Sequence, residues 1–275
     1  MVDEFIHYLP FLLGLALTGA LSGVMAGLLG IGGGIIMVPA MVLAYQILGY
    51  NPDVIMHVAV GTSLAVIIPT GLRSAASHRK RGAVDETITR RWGPWIIAGA
   101  AVGGITVAIY SAAALKIIFG AMALFIALNM VLPVQRKMME SLAHVPMANR
   151  ISATVIGYVS ALMGIGGGSL SVPTLVAFGN PMHTAVGTSA ALGVMLAIPA
   201  ALGFIISGWG AVGAPPLSLG FINIPSLIVI GGLATLTAPL GVALAHKLNA
   251  KLLKVVFAIF LIVVGLRMIL QAIFG

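Results

Sequence analysis

The sequence predicts an all-α polytopic membrane protein: about ten helical segments in two inverted-topology repeats of five, with glycine-broken short or re-entrant helices. Three observations carry that expectation. Charged residues make up only 7% of the chain against 60% hydrophobic ones, with a mean hydropathy of +1.15. A soluble domain needs roughly a quarter of its residues charged to cover its surface. Apolar runs of about 20 residues recur along the chain, the length at which a helix crosses a hydrocarbon core. Finally, three stretches of the first half return, in the same order, in the second.

The apolar runs place segments at 5–29, 34–49, 57–77, 93–111 and 115–133, then at 151–164, 168–179, 183–207, 225–245 and 252–273. The chain opens on an acidic Met1-Val2-Asp3-Glu4, whereas a signal peptide opens basic, so the first run reads as a retained helix. The second and seventh segments are too short to cross with comfort. They read as half-helices or re-entrant arms, which survive in a bilayer only where their backbone is buried in protein or lines a cavity.

The repeat is explicit. GLLGIGGGIIMVPAMV at 27–42 and ALMGIGGGSLSVPTLV at 161–176 share nine of sixteen positions. HVAVGTSLAV at 57–66 and HTAVGTSAAL at 183–192 share seven of ten. LKIIFGAMALFIALNMVL at 115–132 and LKVVFAIFLIVVGLRMIL at 253–270 share six of eighteen. The predicted organisation is a first transmembrane repeat over 1–134, a cytoplasmic linker over 135–149 and a second, inverted repeat over 150–275.

Charge orients these copies. All Lys and Arg residues except Lys116 and Arg267 fall at a helix end or in the gaps 78–91, 135–150 and 246–254, whereas 208–224 has no charge at all. Basic loops stay cytoplasmic. The basic third gap of the first half corresponds to the neutral third gap of the second, and the fourth gaps are exchanged in the same sense. An odd-numbered unit gives that pattern only when its copies lie upside down to each other. Both termini then face away from the cytoplasm. Trp92, Trp95 and Trp209 stand at span ends, where interface anchors belong. The net charge of +8 sits in these short gaps, not on an aromatic-interleaved patch, which excludes nucleic acid as a partner.

The residues that could meet a substrate are also duplicated. Gly30-Ile31-Gly32-Gly33-Gly34 and Gly164-Ile165-Gly166-Gly167-Gly168 each precede a short helix. Glycine costs a helix about 1 kcal/mol against alanine, so the runs read as sharp turns that expose backbone amides. The helix that follows points unpaired N–H groups and a positive dipole end at the turn. Two such ends facing one another would attract an anion without a buried cation. Close helix packing through small residues is the other reading. Pro39 and Pro173 are read as kinks in the short helices.

Val60-Gly61-Thr62-Ser63 and Val186-Gly187-Thr188-Ser189 form the second pair; their hydroxyls either donate to an oxyanion or bond back to the preceding turn. The candidate substrate-binding residues are Gly32, Gly33, Gly34, Thr62, Ser63, Gly166, Gly167, Gly168, Ser169, Thr188 and Ser189. His57 and His183, five residues before those hydroxyls, are candidate gates or proton acceptors, with a plain headgroup-level histidine as the alternative. Lys116 and Lys254 read as interface anchors, and Arg267 as a snorkelling cation.

Absences narrow the chemistry. The six acidic residues all lie outside the spans, which disfavours a cation carrier or a carboxylate relay. There is no cysteine, no His/Glu metal spacing, no phosphate-binding loop and no nucleophile elbow. No enzyme activity, cofactor or metal is therefore expected.

With these residues in view, the chain resembles the TauE/SafE sulfite exporter family. The resemblance rests on Gly30–Gly34 with Pro39, Gly164–Gly168 with Pro173, and the two Val-Gly-Thr-Ser stretches. It implies a multi-pass carrier in the inner membrane, exporting sulfite or a small organosulfonate such as sulfoacetate. The expected function is secondary transport of a small anion by alternating access around a midplane site. An anion channel, or a carrier for another small anion, is the alternative. The expected partners are the small anion and the bilayer, with the oligomeric state left open and a homodimer among the options.

Overall fold

The computed structural model describes residues 2–29, 33–131, 140–245 and 250–274. Gly30, Ile31 and Gly32, the linker cations Arg136 and Lys137, and Lys247 lie outside the described residues. Ten α-helices follow in order: α1 Val2–Leu29, α2 Gly34–Ile47, α3 Pro52–Lys80, α4 Glu86–Thr106 and α5 Ala112–Val131, then α6 Pro146–Met163, α7 Gly168–Ala177, α8 Met182–Ser207, α9 Ile224–Ala245 and α10 Ala250–Phe274. Short 3-10 turns occupy Val107–Ile109 and Glu140–His144. A two-stranded hairpin, β1 Ser218–Leu219 and β2 Ile222–Asn223, leads into α9.

Local chemistry sets the helix starts. Asn51 caps α3 by accepting the Asp53 amide at 3.0 Å, with Pro52 preset at the first helical position. Asp85 caps α4 by accepting from the amides of Thr87 and Ile88. Pro146 opens α6. Consequently α3, α4 and α6 begin at 52, 86 and 146, ahead of the starts at 57, 93 and 151 that the apolar runs predict. Periodicity marks where a helix meets lipid, and capping marks where it begins. By contrast, α2 and α7 are as short as predicted. Their 14 and 10 residues span roughly 21 and 15 Å, against a hydrocarbon core of about 30 Å.

Among the described residues, six helices are long and apolar enough to cross a membrane. Leucines and isoleucines exposed along α1, α4, α9 and α10, such as Leu17, Ile105, Leu236 and Ile262, leave an apolar outer surface. A surface of that kind is stable only against lipid or a partner.

Helices α3 and α8 pack against each other at the centre. The start of α3 meets the segment after α8, where a side chain on Gly213 would touch Asn51. The start of α8 meets the segment after α3, where one on Gly187 would overlap Ala83. The two helices therefore run antiparallel. Around them α1 packs on α9 and α6 on α4, α4 packs on α8 and α9 on α3, and α5 packs on α10. Each pairing has its counterpart when α1–α5 are exchanged with α6–α10. Backbone carbonyls fill the places of missing side chains at the contacts, as between Gly120 and Gly265.

One expectation is corrected. Trp92 is only 1% exposed and no interface anchor. Its indole N–H donates to Asn149 Oδ1 at 2.8 Å, and its ring meets Phe178 edge-on. Asn149 spends its own N–H groups on the carbonyls of Ala143 and Val145, so the pair clamps the 140–144 turn onto α4. Trp95 is half-exposed beneath the Arg150 guanidinium, and Trp209 is exposed. Lys116 is likewise buried, where an interface anchor was expected, and Arg267 is exposed on α10. Trp92→Phe orphans Asn149 Oδ1 at a cost of about 1–3 kcal/mol. The expected outcome is a clearly lower melting temperature in detergent, against a much smaller change for Trp95→Phe.

Candidate functional site

The second glycine turn begins as a helix end. Gly164 adopts a left-handed conformation (φ +67°) that stops α6, its amide bonding to Ala161 and that of Ile165 to Ser160. Three residues later Gly167 caps α7 with no side-chain hydrogen bond. Its carbonyl receives the amides of Leu170 at 3.3 Å and Ser171 at 2.7 Å. In the first half Gly33 caps α2 in the same way, with its carbonyl receiving Ile36 and Met37, both at 3.0 Å. As glycines, neither N-cap residue supplies a side-chain cap to its short helix.

The two turns meet. A side chain on Gly34 would overlap the Gly164 carbonyl oxygen, and it would crowd Ser63 Oγ and Ile165 Cα as well. Ser63 donates to that carbonyl at 2.8 Å. The start of α2 and the hydroxyl of α3 thus converge on the turn between α6 and α7. Gly33, Gly34, Gly166, Gly167, Gly168 and Ser169 are all buried there, as are Thr62, Ser63, Thr188 and Ser189. Gly32 lies outside the described residues.

The two threonines have structural duties that mirror each other. Thr62 Oγ1 accepts the amide of Asn223 at 2.9 Å, and Thr188 Oγ1 accepts that of Asp85 at 2.9 Å. Asn223 and Asp85 are both the residue before a helix, and both accept from its first turn. The preceding glycines admit the same segments: a side chain on Gly61 would overlap the Phe221 carbonyl, as one on Gly187 would overlap that of Ala83. Each Val-Gly-Thr-Ser stretch therefore brackets the entry to the fourth helix of the opposite half. Ser189 bonds back to Val186 at 3.2 Å.

The histidines part company. His57 is buried, its Nε2 3.0 Å from the Tyr110 carbonyl and its ring 4.9 Å from that of Phe221. His183 is exposed at the start of α8. His57 is thus placed to tie α3 to the α4–α5 connection, whereas its repeat mate touches the surface.

Sequence reasoning missed four contributors. Asp85 and Asn223 were legible as helix caps but not as partners of threonines more than a hundred residues away. Tyr45, whose hydroxyl shares a 2.8 Å hydrogen bond with Ser226, closes α2 onto α9. Ser171 is the fourth: it lies within the repeated stretch, at a position where the two copies differ, and the polarity of that exchange was its only signal.

Chemically, the interior is a hydroxyl and amide environment. Serines and threonines dominate its buried polar side chains, and no buried carboxylate occurs among the described residues. Also among the described residues, no three His, Cys, Asp or Glu side chains group as metal ligands. An opening of about 780 Å³ between α3, α8, α9 and the hairpin is lined by apolar residues such as Ile68, Ile198 and Leu227. None of the glycine-turn residues lines it. Uncapped helix starts beside hydroxyls offer donors to an anion and little to a cation.

The model of the family described as sulfite exporter TauE/SafE matches residues 15–268. A probable membrane transporter protein of Haemophilus influenzae is 36% identical over 261 residues, covering 95% of this chain and 99% of its own. One of Bacillus subtilis is 28% identical, covering 95% and 98%. One of Methanocaldococcus jannaschii is 25% identical, covering 97% of each. No solved structure matches the chain. A match over nearly the whole length, on a helical bundle built for lipid, settles the kinship: this chain belongs to the TauE/SafE sulfite exporter family and is a multi-pass membrane transporter.

Proposed function

We propose that this transporter is a secondary carrier that exports a small sulfur-containing anion, sulfite or an organosulfonate such as sulfoacetate, across an inner membrane. It works by alternating access around a midplane site where the two glycine turns meet. The observation that carries the reading is that meeting: α2 and α7 are too short to span, start without caps, and abut at Gly34 and Gly164. The family supplies the sulfur chemistry, and the carboxylate-free, hydroxyl-rich interior fits an oxyanion.

The antiparallel α3 and α8, with helix pairings that exchange between halves, support two inverted repeats over 1–134 and 150–275. Inverted repeats with broken helices are the architecture in which one bundle of helices rocks against another around a fixed site. Burial of Gly33, Gly34 and Gly164–Gly168 supports a carrier over a channel, because in this conformation these residues are closed off from bulk water. Basic loops on one side support a cytoplasmic linker and both termini on the opposite side.

In proteoliposomes, sulfite or sulfoacetate flux should saturate with concentration and fall to background in Gly34→Val, whose side chain cannot coexist with the Gly164 carbonyl. Membrane abundance of the variant controls for loss of protein. Flux that rises linearly without saturating, or survives in Gly34→Val, would refute the midplane carrier.

Orientation has its own test in a chain that contains no native cysteine. Val212→Cys, at a site 89% exposed in the neutral α8–α9 segment, should react with an impermeant maleimide in intact cells. Lys80→Cys should react only after lysis. The reverse pattern overturns the orientation.

A further inference from the structure

The two glycine turns are equivalent in sequence position but not in chemistry. Alignment of the two copies sets Ile35 against Ser169 and Met37 against Ser171, and in the helices that follow it sets Ile67 against Gly193. At the first turn, the Met37 methyl group occupies the place where a side chain on Gly33 would begin, with Ser22 on the other flank at 2.9 Å. The Met37 methyl group and the Ser22 Cβ and carbonyl fill the space.

At the second turn Ile67 packs against Gly166, but the space beside Gly167 is less crowded and holds a hydroxyl. Beside Gly167 the nearest atom to a would-be side chain is Ser171 Oγ, at 3.3 Å, followed by Leu196 and the bare Cα of Gly193 at 3.8 Å. From the other side, a side chain on Gly193 would find only the Gly167 amide nitrogen within 4 Å, at 3.6 Å. Ser171 is fully buried, yet its hydroxyl has no hydrogen-bond partner. A partner is available in principle: Thr174, on the same helix, bonds back to the Leu170 carbonyl at 2.7 Å. Ser171 does not take that option and stays one turn from the α7 start, beside Gly167.

We propose that the second glycine turn alone binds the transported anion. A single small oxyanion is held by the amides at the start of α7 and by the Ser171 hydroxyl, in room left by Gly193. The first turn, filled by Met37, is its structural copy and supports the site without binding. A buried donor without a partner is costly, and an oxyanion supplies the missing acceptor. This site rests on the carrier reading above and sharpens it from two symmetric turns to one.

The test is titration calorimetry on the purified full-length protein in detergent, with sodium sulfite and sulfoacetate as probes. The expected stoichiometry is one anion per chain. Ser171→Ala should weaken binding by about tenfold or more, the loss of one hydrogen bond to a charged group. Ser171→Met, which copies the plug of the first turn, should abolish it. Ser171→Thr, which keeps the hydroxyl, should retain it, and Met37→Ser should leave it within about twofold. Anion-free melting curves check that each variant packs. Wild-type binding in Ser171→Ala, equal losses in Met37→Ser and Ser171→Ala, or two anions per chain would overturn the asymmetric site while leaving the carrier standing. A wild-type protein that binds neither probe overturns the sulfur-anion reading and the site with it.

Discussion

The carbonyl of Gly164 is the point on which the interior turns. It belongs to a helix that stops inside a bundle built for lipid, where a polar backbone group without a partner costs several kcal/mol. Ser63, from the other half of the chain, donates to it, and Gly34 lets the α2 start come close enough to cover it. A broken helix is thus tolerated because the opposite half completes it. Substituting either neighbour does more than remove one contact: it exposes the break.

The threonine brackets apply the same logic twice more. In each half the third helix takes hold of the segment entering the other half's fourth helix, through a glycine that admits the backbone and a hydroxyl that accepts its amide. These brackets interlock the halves at both ends of the antiparallel α3–α8 pair. Any motion that exposes the turns to one side and then the other has to keep these amides satisfied. That favours helices moving as bracketed sets, α3 with the α9 entry and α8 with the α4 entry, over independent sliding. On this view Thr62 and Thr188 define what moves together, and contact with the substrate falls to the turns.

Much of this was legible in the sequence. Repeated apolar runs gave the ten helices, and the tripled glycines gave the two broken ones, because length, hydropathy and glycine's helix cost act locally. Helix starts at 52, 86 and 146 were misplaced because capping by Asn51 and Asp85, and the preset backbone of Pro146 at a first helical position, operate in sequence that hydropathy treats as loop. Trp92 was read as an anchor because span-end position is a local cue, whereas its partner Asn149 is 57 residues away. The threonines escaped for the same reason: an acceptor for an amide over a hundred residues distant looks no different from a ligand-binding hydroxyl. His57 and His183 show the limit of repeat arithmetic, since identical positions came to rest in a buried and an exposed setting.

Among the described residues no cation is buried at the turns, which fits the anion carrier proposed above. An arginine in the bilayer core would need its own charge compensated whenever the site is empty, at a cost of several kcal/mol. Backbone amides at a helix start carry only about half an elementary charge between them. They attract an anion yet remain tolerable without one, as the proposed carrier needs on its empty return. An inverted pair of broken helices allows access to alternate, but alternation does not require two cargo sites. On the proposed reading, the unpartnered Ser171 hydroxyl at one turn and Met37 at the other give a protein symmetric in its mechanics and asymmetric in its chemistry. The exchange of Met37 for Ser171 between two copies that keep their glycines and proline is what such a division of labour leaves behind.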